Sequence, residues 1–357
     1  MKDIGSIFPL TNEDMTLMTK GVSLSAKNGN RINFSLCREA IYAVAKKYNH
    51  TEKTVLIPAY TCQTVIDPFI QQGWKCYFYN INTNLRIDLE DLLLKCDSFN
   101  PSMLVVHPYY GMELNKAELE VLKTIKQKGI VLLEDITQCI NTKTRPDVFD
   151  YFTGSYRKWF KVPDGGFLES NFLDLISIPE EENASFVSKQ IDAMYLRGKY
   201  FETEDELIKS ISIRLNKEAV SEIGKLIHCH KMSDFSMSVM DTEDENKSIE
   251  QRFRNYQYLY DNLCQSEQIK FVCNDIDDVT TSPLYFPIYA LDRSLLQNKL
   301  ASQHIYAPVL WPVYNEDVLI NENIKKIYST ILMIPIDQRY DEEDMYKIVS
   351  LLNAFCV

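Results

Sequence analysis

Nowhere in these 357 residues does an apolar run approach the ~20 positions that a membrane-spanning helix needs. The opening stretch "MKDIGSIFPLTNED" has no apolar core of the kind a secretion signal carries. A soluble, cytoplasmic protein without membrane partners is the expectation. No CxxC pair occurs among nine scattered cysteines, and the odd count predicts reduced, mostly buried thiols. "HCH" at 228–230 is the one stretch with a metal-like look. Adjacent side chains on one element point different ways and no second ligand cluster accompanies them, so no metal is expected. There is no basic patch, and the formal charge is −12, which argues against nucleic acid as a partner. No internal repeat or low-complexity segment is visible.

What is present is an ordinary globular composition, 45% hydrophobic and 25% charged. The length exceeds what one core usually serves, which predicts one large and one smaller domain. From about residue 34 to 170, helical and strand-like stretches alternate. "EAIYAVAKKY" (39–48) has helical spacing and "TVLIPAYT" (54–61) reads as a buried strand. "VIDPFIQQG" predicts a short helix ending at Gly73, and "KCYFYNI" (75–81) and "SMLVVHPYY" (102–110) read as strands. "KAELEVLKTIKQKG" (116–129) is an amphipathic helix with Gly129 as its C-cap, feeding the strand "IVLLE" (130–134). Short apolar strands punctuated by helices predict an α/β fold with a mostly parallel sheet covered on both faces. Function in such sheets gathers at the carboxyl ends of the strands. Residues 171–250 turn polar and helical, and 250–357 read as a smaller α+β unit. The expected division is an N-terminal segment 1–30, a large domain 31–248 and a small C-terminal domain 249–357.

Asp135 directly follows "VLLE", at the carboxyl end of a central strand, where a half-buried carboxylate calls for a cationic partner. Lys158 lies beyond another strand-like run, "FDYFTGS", so both side chains can reach one crevice. A partly desolvated lysine amine is a nucleophile toward carbonyls. The plainer alternatives are an ordinary ion pair or a solvated lysine. "FSLCREAI" (34–41) turns from extended chain into a helix. Its first amides, at Cys37, Arg38 and Glu39, are expected to lack intrahelical partners and to accept a phosphate. A phosphate cradle, a strand-end carboxylate and a reactive lysine together match the needs of pyridoxal 5'-phosphate.

On these motifs the chain resembles the DegT-type sugar aminotransferases, fold-type I pyridoxal-phosphate enzymes, over roughly residues 30 to 350. "VVHPYYG" is similar to the family's His-x-Tyr-Gly strand with one extra residue, and "LLEDITQCI" to its Glu-Asp-x-x-Gln. "SYRKWFKVPDGG" resembles its lysine loop, with Lys158 ahead of Gly165-Gly166 by the family's spacing. The resemblance implies a Schiff-base lysine at Lys158, Asp135 on the pyridinium nitrogen and Gln138 beside the ring. It also implies a phosphate-binding Ser155 and a ring-facing position at Cys62, where many members carry an aromatic. Tyr60 and Tyr109 are candidates to stack on the ring instead or to meet substrate, and Tyr306 and Trp311 to contact substrate. Arg157 and Trp159 are expected to be structural. "CHK" (229–231) stands where the family's partner-subunit "Asn-Tyr-Arg" would be. A homodimer is implied, with "IEQRFRNYQYLYDNL" in its contact region. So is transfer of an amino group, from glutamate in particular, to a keto-sugar, usually nucleotide-linked, in surface polysaccharide or related sugar biosynthesis. The alternatives are a sugar dehydratase, in which the family often replaces the lysine by histidine, and a catalytically idle binding or regulatory protein.

Overall fold

The computed structural model describes residues 3–20, 25–48, 52–141, 145–174, 176–223 and 226–356. Eight strands form the larger sheet. They are β1 (Lys27–Asn28), β2 (Arg31–Phe34), β3 (Thr54–Pro58), β4 (Lys75–Tyr79), β5 (Met103–Val106), β6 (Val131–Asp135), β7 (Tyr151–Ser155) and β8 (Gly166–Glu169). Their spatial order is β1-β2-β8-β7-β6-β5-β3-β4. The run from β4 to β7 is parallel, and the β7–β8, β8–β2 and β2–β1 pairings are antiparallel. Helices α1 (Asn12–Met15), α2 (Cys37–Lys47), α3 (Gln63–Gln71), α4 (Leu89–Phe99) and α5 (Lys116–Lys126) fall before or between these strands.

Both faces of the sheet are covered, as a parallel sheet requires. Alternation along β5 and β6 shows it: Leu104, Val106 and Leu132 enter one apolar layer, while Met103, Val105 and Leu133 enter the other. Local sequence sets the helix ends. Asn115 caps α5 and Glu118 answers it, a reciprocal pair that satisfies two first-turn amides. At the other end Gly129 takes φ +81°, which lets the chain reverse into β6.

Beyond the sheet come α6 (Ala184–Thr203), α7 (Glu206–Ile223), α8 (Asp234–Met240) and α9 (Glu245–Asn262). A second, antiparallel sheet follows in the order β11-β10-β9, from β9 (Ile269–Phe271), β10 (Tyr285–Ala290) and β11 (Ile331–Pro335). Helices α10 (Arg293–Ala301), α11 (Glu322–Thr330) and α12 (Glu342–Asn353) belong to the same stretch of chain. The N-terminal segment is tied to these later elements by charge. Asp3 is fully buried and meets Arg197 at 3.1 Å, Lys209 at 3.0 Å and His304 at 3.1 Å.

Candidate active site

Parallel strands β3, β5, β6 and β7 end side by side, and the loops beyond them wall a cavity of about 380 Å³. Asp135 is the last residue of β6 and is 6% exposed. One of its oxygens, Oδ1, accepts the Thr137 amide at 3.0 Å and faces the Cys37 thiol at 4.0 Å. Its other oxygen lies 3.7 Å from His107 Nδ1, and His107 Nε2 is 2.7 Å from the Thr61 hydroxyl. Burial pushes the His107 pKa down, and the nearby Asp135 charge only partly offsets it. The Cys37 thiol is pushed up to about 12 by burial and by Asp135, so it keeps its proton.

Lys158 ends a short 3₁₀ turn, Tyr156–Lys158, that continues β7, and it is exposed into the cavity. The turn is fixed on one side by Trp159, whose indole donates to the Thr137 carbonyl at 2.8 Å. On the other side, the Tyr156 amide donates to the Gly165 carbonyl at 3.0 Å. Ser155 lines the cavity, with its hydroxyl 3.4 Å from the Gly165 carbonyl.

Two helices begin at the cavity wall with no side-chain cap. The N-cap of α2 is Leu36 and that of α3 is Cys62. Uncapped first-turn amides and the positive end of the helix dipole favour an anion. Gly166 brings β8 against the start of α2 so closely that a Cβ there would lie 2.2 Å from the Cys37 nitrogen. Arg38, 6% exposed, also lines the cavity. It donates to the Ile223 carbonyl, lies 3.9 Å from Asp67, and keeps a buried Nε with no hydrogen bond among the described residues. Gln138 Oε1 is likewise buried without a partner among the described residues.

Of the residues singled out in the sequence, Cys37, Arg38, Cys62, Asp135, Gln138, Ser155, Lys158 and Trp311 meet around this one cavity. Glu39 does not. Its amide donates to the Leu36 carbonyl at 3.0 Å, a tight first-turn bond that corrects the expectation of a free donor. Its carboxylate turns away to accept the His230 amide at 2.8 Å. Tyr60 and Tyr109 are buried behind the wall: Tyr60 packs 4.6 Å from Trp311, and Tyr109 donates to the Tyr60 carbonyl. Tyr306 lies elsewhere, with its hydroxyl 3.3 Å from the Lys209 amine. Lys231, in the "CHK" stretch, is engaged within its own chain by Asp234 at 2.8 Å. His107 was not among the site residues expected, although the "VVHPYYG" motif contained it. The signal available was its place just past β5, beside the β6 end that carries Asp135.

No family model and no curated protein matches the sequence. Solved structures do match over nearly the whole chain. The sugar aminotransferase CalS13 from Micromonospora echinospora is 13% identical, with a TM-score of 0.70, covering 99% of this chain and 100% of its own. The putative sugar aminotransferase Spr1654 from Streptococcus pneumoniae, in its PLP-form, is 13% identical, with a TM-score of 0.69 and coverage of 99% and 98%. A DegT DnrJ EryC1 StrS aminotransferase from Brucella abortus is 14% identical, with a TM-score of 0.63 and coverage of 98% and 91%. The chain therefore has the fold of the fold-type I sugar aminotransferases, as its motifs implied.

Proposed function

We propose that this chain is a pyridoxal-phosphate-dependent aminotransferase that moves an amino group from an amino acid, glutamate in particular, to a keto-sugar. One observation carries the reading: Asp135, Lys158 and the uncapped start of α2 converge on a single cavity. The residues fit the cofactor. Unpartnered buried polar atoms on Arg38 and Gln138, two uncapped helix starts and a strand-end carboxylate are what a phosphate and a pyridinium ring require. That the solved neighbour Spr1654 has a PLP-form supports the same choice.

When bound, the cofactor supplies an electron sink that stabilises negative charge on the donor's α-carbon. The protein's own groups do the rest. The Cys37 and Arg38 amides, the first turn of α3 and the Ser155 hydroxyl would hold the phosphate. Asp135 would accept the hydrogen bond from the ring nitrogen and so keep it protonated. His107, held at Nε2 by the Thr61 hydroxyl, packs its Nδ1 edge 3.7 Å from Asp135 and would help hold that carboxylate in place. Gln138 would lie beside the ring. Lys158 would anchor the cofactor and, once displaced by the donor's amine, its Nζ would take the proton from the donor's α-carbon. Retention of lysine rather than histidine favours transfer over dehydration. A nucleotide-linked keto-sugar and a homodimer belong to the same proposal.

The test is a half-reaction that needs no knowledge of the sugar. Purified protein carrying cofactor should be yellow, and a panel of donors led by glutamate and glutamine should bleach that band. If no donor shifts it, the aminotransferase reading falls.

A further inference from the structure

A second cavity, about 240 Å³, adjoins the first and shares Arg157 and Lys158 with it. Its charges are lopsided. Among the described residues, four cationic side chains, Arg157, Lys158, Arg252 and Arg339, line it together with a single carboxylate, Asp337. That carboxylate is already committed. Arg339 grips it through two bonds, Nε at 2.7 Å and Nη2 at 2.8 Å. Arg252 is 1% exposed and, among the described residues, reaches only neutral acceptors: the Gln338 amide oxygen at 2.8 Å and the Leu284 and Trp159 carbonyls at 3.2 and 3.4 Å.

Arg157 is the group that needs explaining. It is half-buried, yet among the described residues its guanidinium makes no hydrogen bond or ion pair. Its contact is the Phe186 ring, 5.1 Å away on α6. It feels the charge of Asp164, but that carboxylate is taken up by the Ser233 amide and hydroxyl and the Ser236 hydroxyl. A guanidinium offers five donors in a planar fork, and here they face the two cavities with no protein acceptor among the described residues. Its neighbour Trp159, by contrast, is fully used as a structural clamp. The fork's geometry suits a carboxylate, held by two parallel bonds.

We propose that the second cavity is an anion subsite in which Arg157 receives a carboxylate of the amino donor, holding its amino group beside Lys158. Arg252 supplies the field that favours a second negative charge, so a dicarboxylic amino acid is the ligand class the cavity takes. The subsite is built wholly within one chain. The proposal rests on the amino-transfer reading for the identity of the ligand, and its test is chosen to be independent of turnover.

Glutarate is the probe, because it carries two carboxylates and no amine to react. Calorimetric titration of the full chain loaded with cofactor should show binding that weakens as salt is raised. Arg157→Gln should weaken it roughly 10–100-fold, the loss of a charge-assisted bidentate contact. Arg157→Lys keeps the charge but loses the fork and should fall between the two. It also serves as the readout should Arg157→Gln fail to fold. Glutarate that does not bind the parent chain, or binds it and the substituted chains equally, overturns the subsite. The two proposals fail separately. Glutarate binding that depends on Arg157, in a protein no donor bleaches, keeps the subsite and removes amino transfer. Glutamate turnover with glutarate affinity indifferent to Arg157 does the reverse.

Discussion

Gly166→Ala isolates the meeting of β8 with the start of α2. The alanine Cβ would lie 2.2 Å from the Cys37 nitrogen, 2.4 Å from the Leu36 carbonyl carbon and 2.7 Å from the Cys37 Cα. All three are backbone atoms, so no rotamer change can relieve the clash. Ordinary contact begins near 3.4 Å, so the two segments must part by roughly 1 Å in a close-packed interior. β8 cannot retreat, because Gly166 is paired with Phe34 on β2 and with Ser155 on β7. The displacement therefore falls on the first turn of α2, whose amides form the proposed phosphate cradle. Overpacking of this kind costs about 1–3 kcal/mol, and backbone against backbone belongs at the upper end. Amides moved by that much lose hydrogen-bond geometry, which should weaken cofactor binding by about 10–100-fold. Thermal melting with and without pyridoxal phosphate, alongside an absorbance titration of the cofactor, reads both effects. Gly129→Ala is the contrast: nothing lies within 4 Å of its Cβ, but its φ is +81°. It should cost about 1–2 kcal/mol of stability and leave cofactor affinity alone. Gly166→Ala protein that melts and binds cofactor like the parent would refute the reasoning.

Other outcomes follow from the same geometry. Lys158→Ala should fold and bind cofactor without the yellow lysine-bound band, and should show no transfer; a variant that still transfers removes Lys158 from the mechanism. Asp135→Asn should retain cofactor but slow the half-reaction roughly 10²–10³-fold, since losing one partner of a buried charge pair costs about 3–5 kcal/mol. Stopped-flow absorbance checks it, and an unchanged rate refutes it. Glu134 points away from Asp135 along β6, and burial raises its pKa from 4.5 to about 8, with Arg145 lowering it only in part. Between those values the folded chain keeps a proton that the unfolded chain has released, so this group's contribution makes stability fall as pH rises. Glu134→Gln should flatten that slope and stabilise the protein near pH 7 by up to about 3 kcal/mol, measured by denaturant unfolding across pH. His107 acts in the opposite sense. Burial holds its folded pKa below the ordinary imidazole value of 6.5, so its contribution is intact above that value and is lost as pH falls below it.

Much of the site was legible because it rests on local pattern. The carboxyl end of β6 follows from the apolar run before Asp135, and the start of α2 from the change of period after Phe34. The short strands β1, β2 and β8 were harder to read, because two to four residues carry little periodicity. The link from Thr61 through His107 to Asp135 joins three strand ends, β3, β5 and β6, whose adjacency is a matter of topology. Glu39 was misjudged because a first-turn bond back to Leu36 leaves no trace in composition. Arg157 reads in the sequence as a flanking charge. Only its packing beneath α6, away from any acceptor, sets it apart from Trp159.

Borohydride reduction of the purified yellow protein, followed by peptide mass mapping, tests the central claim most directly. Reduction fixes the cofactor to whichever amine holds it. The account predicts one modified peptide, with the cofactor mass on Lys158, and loss of that label when glutamate is added before the reductant. A label on a different lysine, or labelling of Lys158 that glutamate and every other amino donor leave untouched, would contradict it.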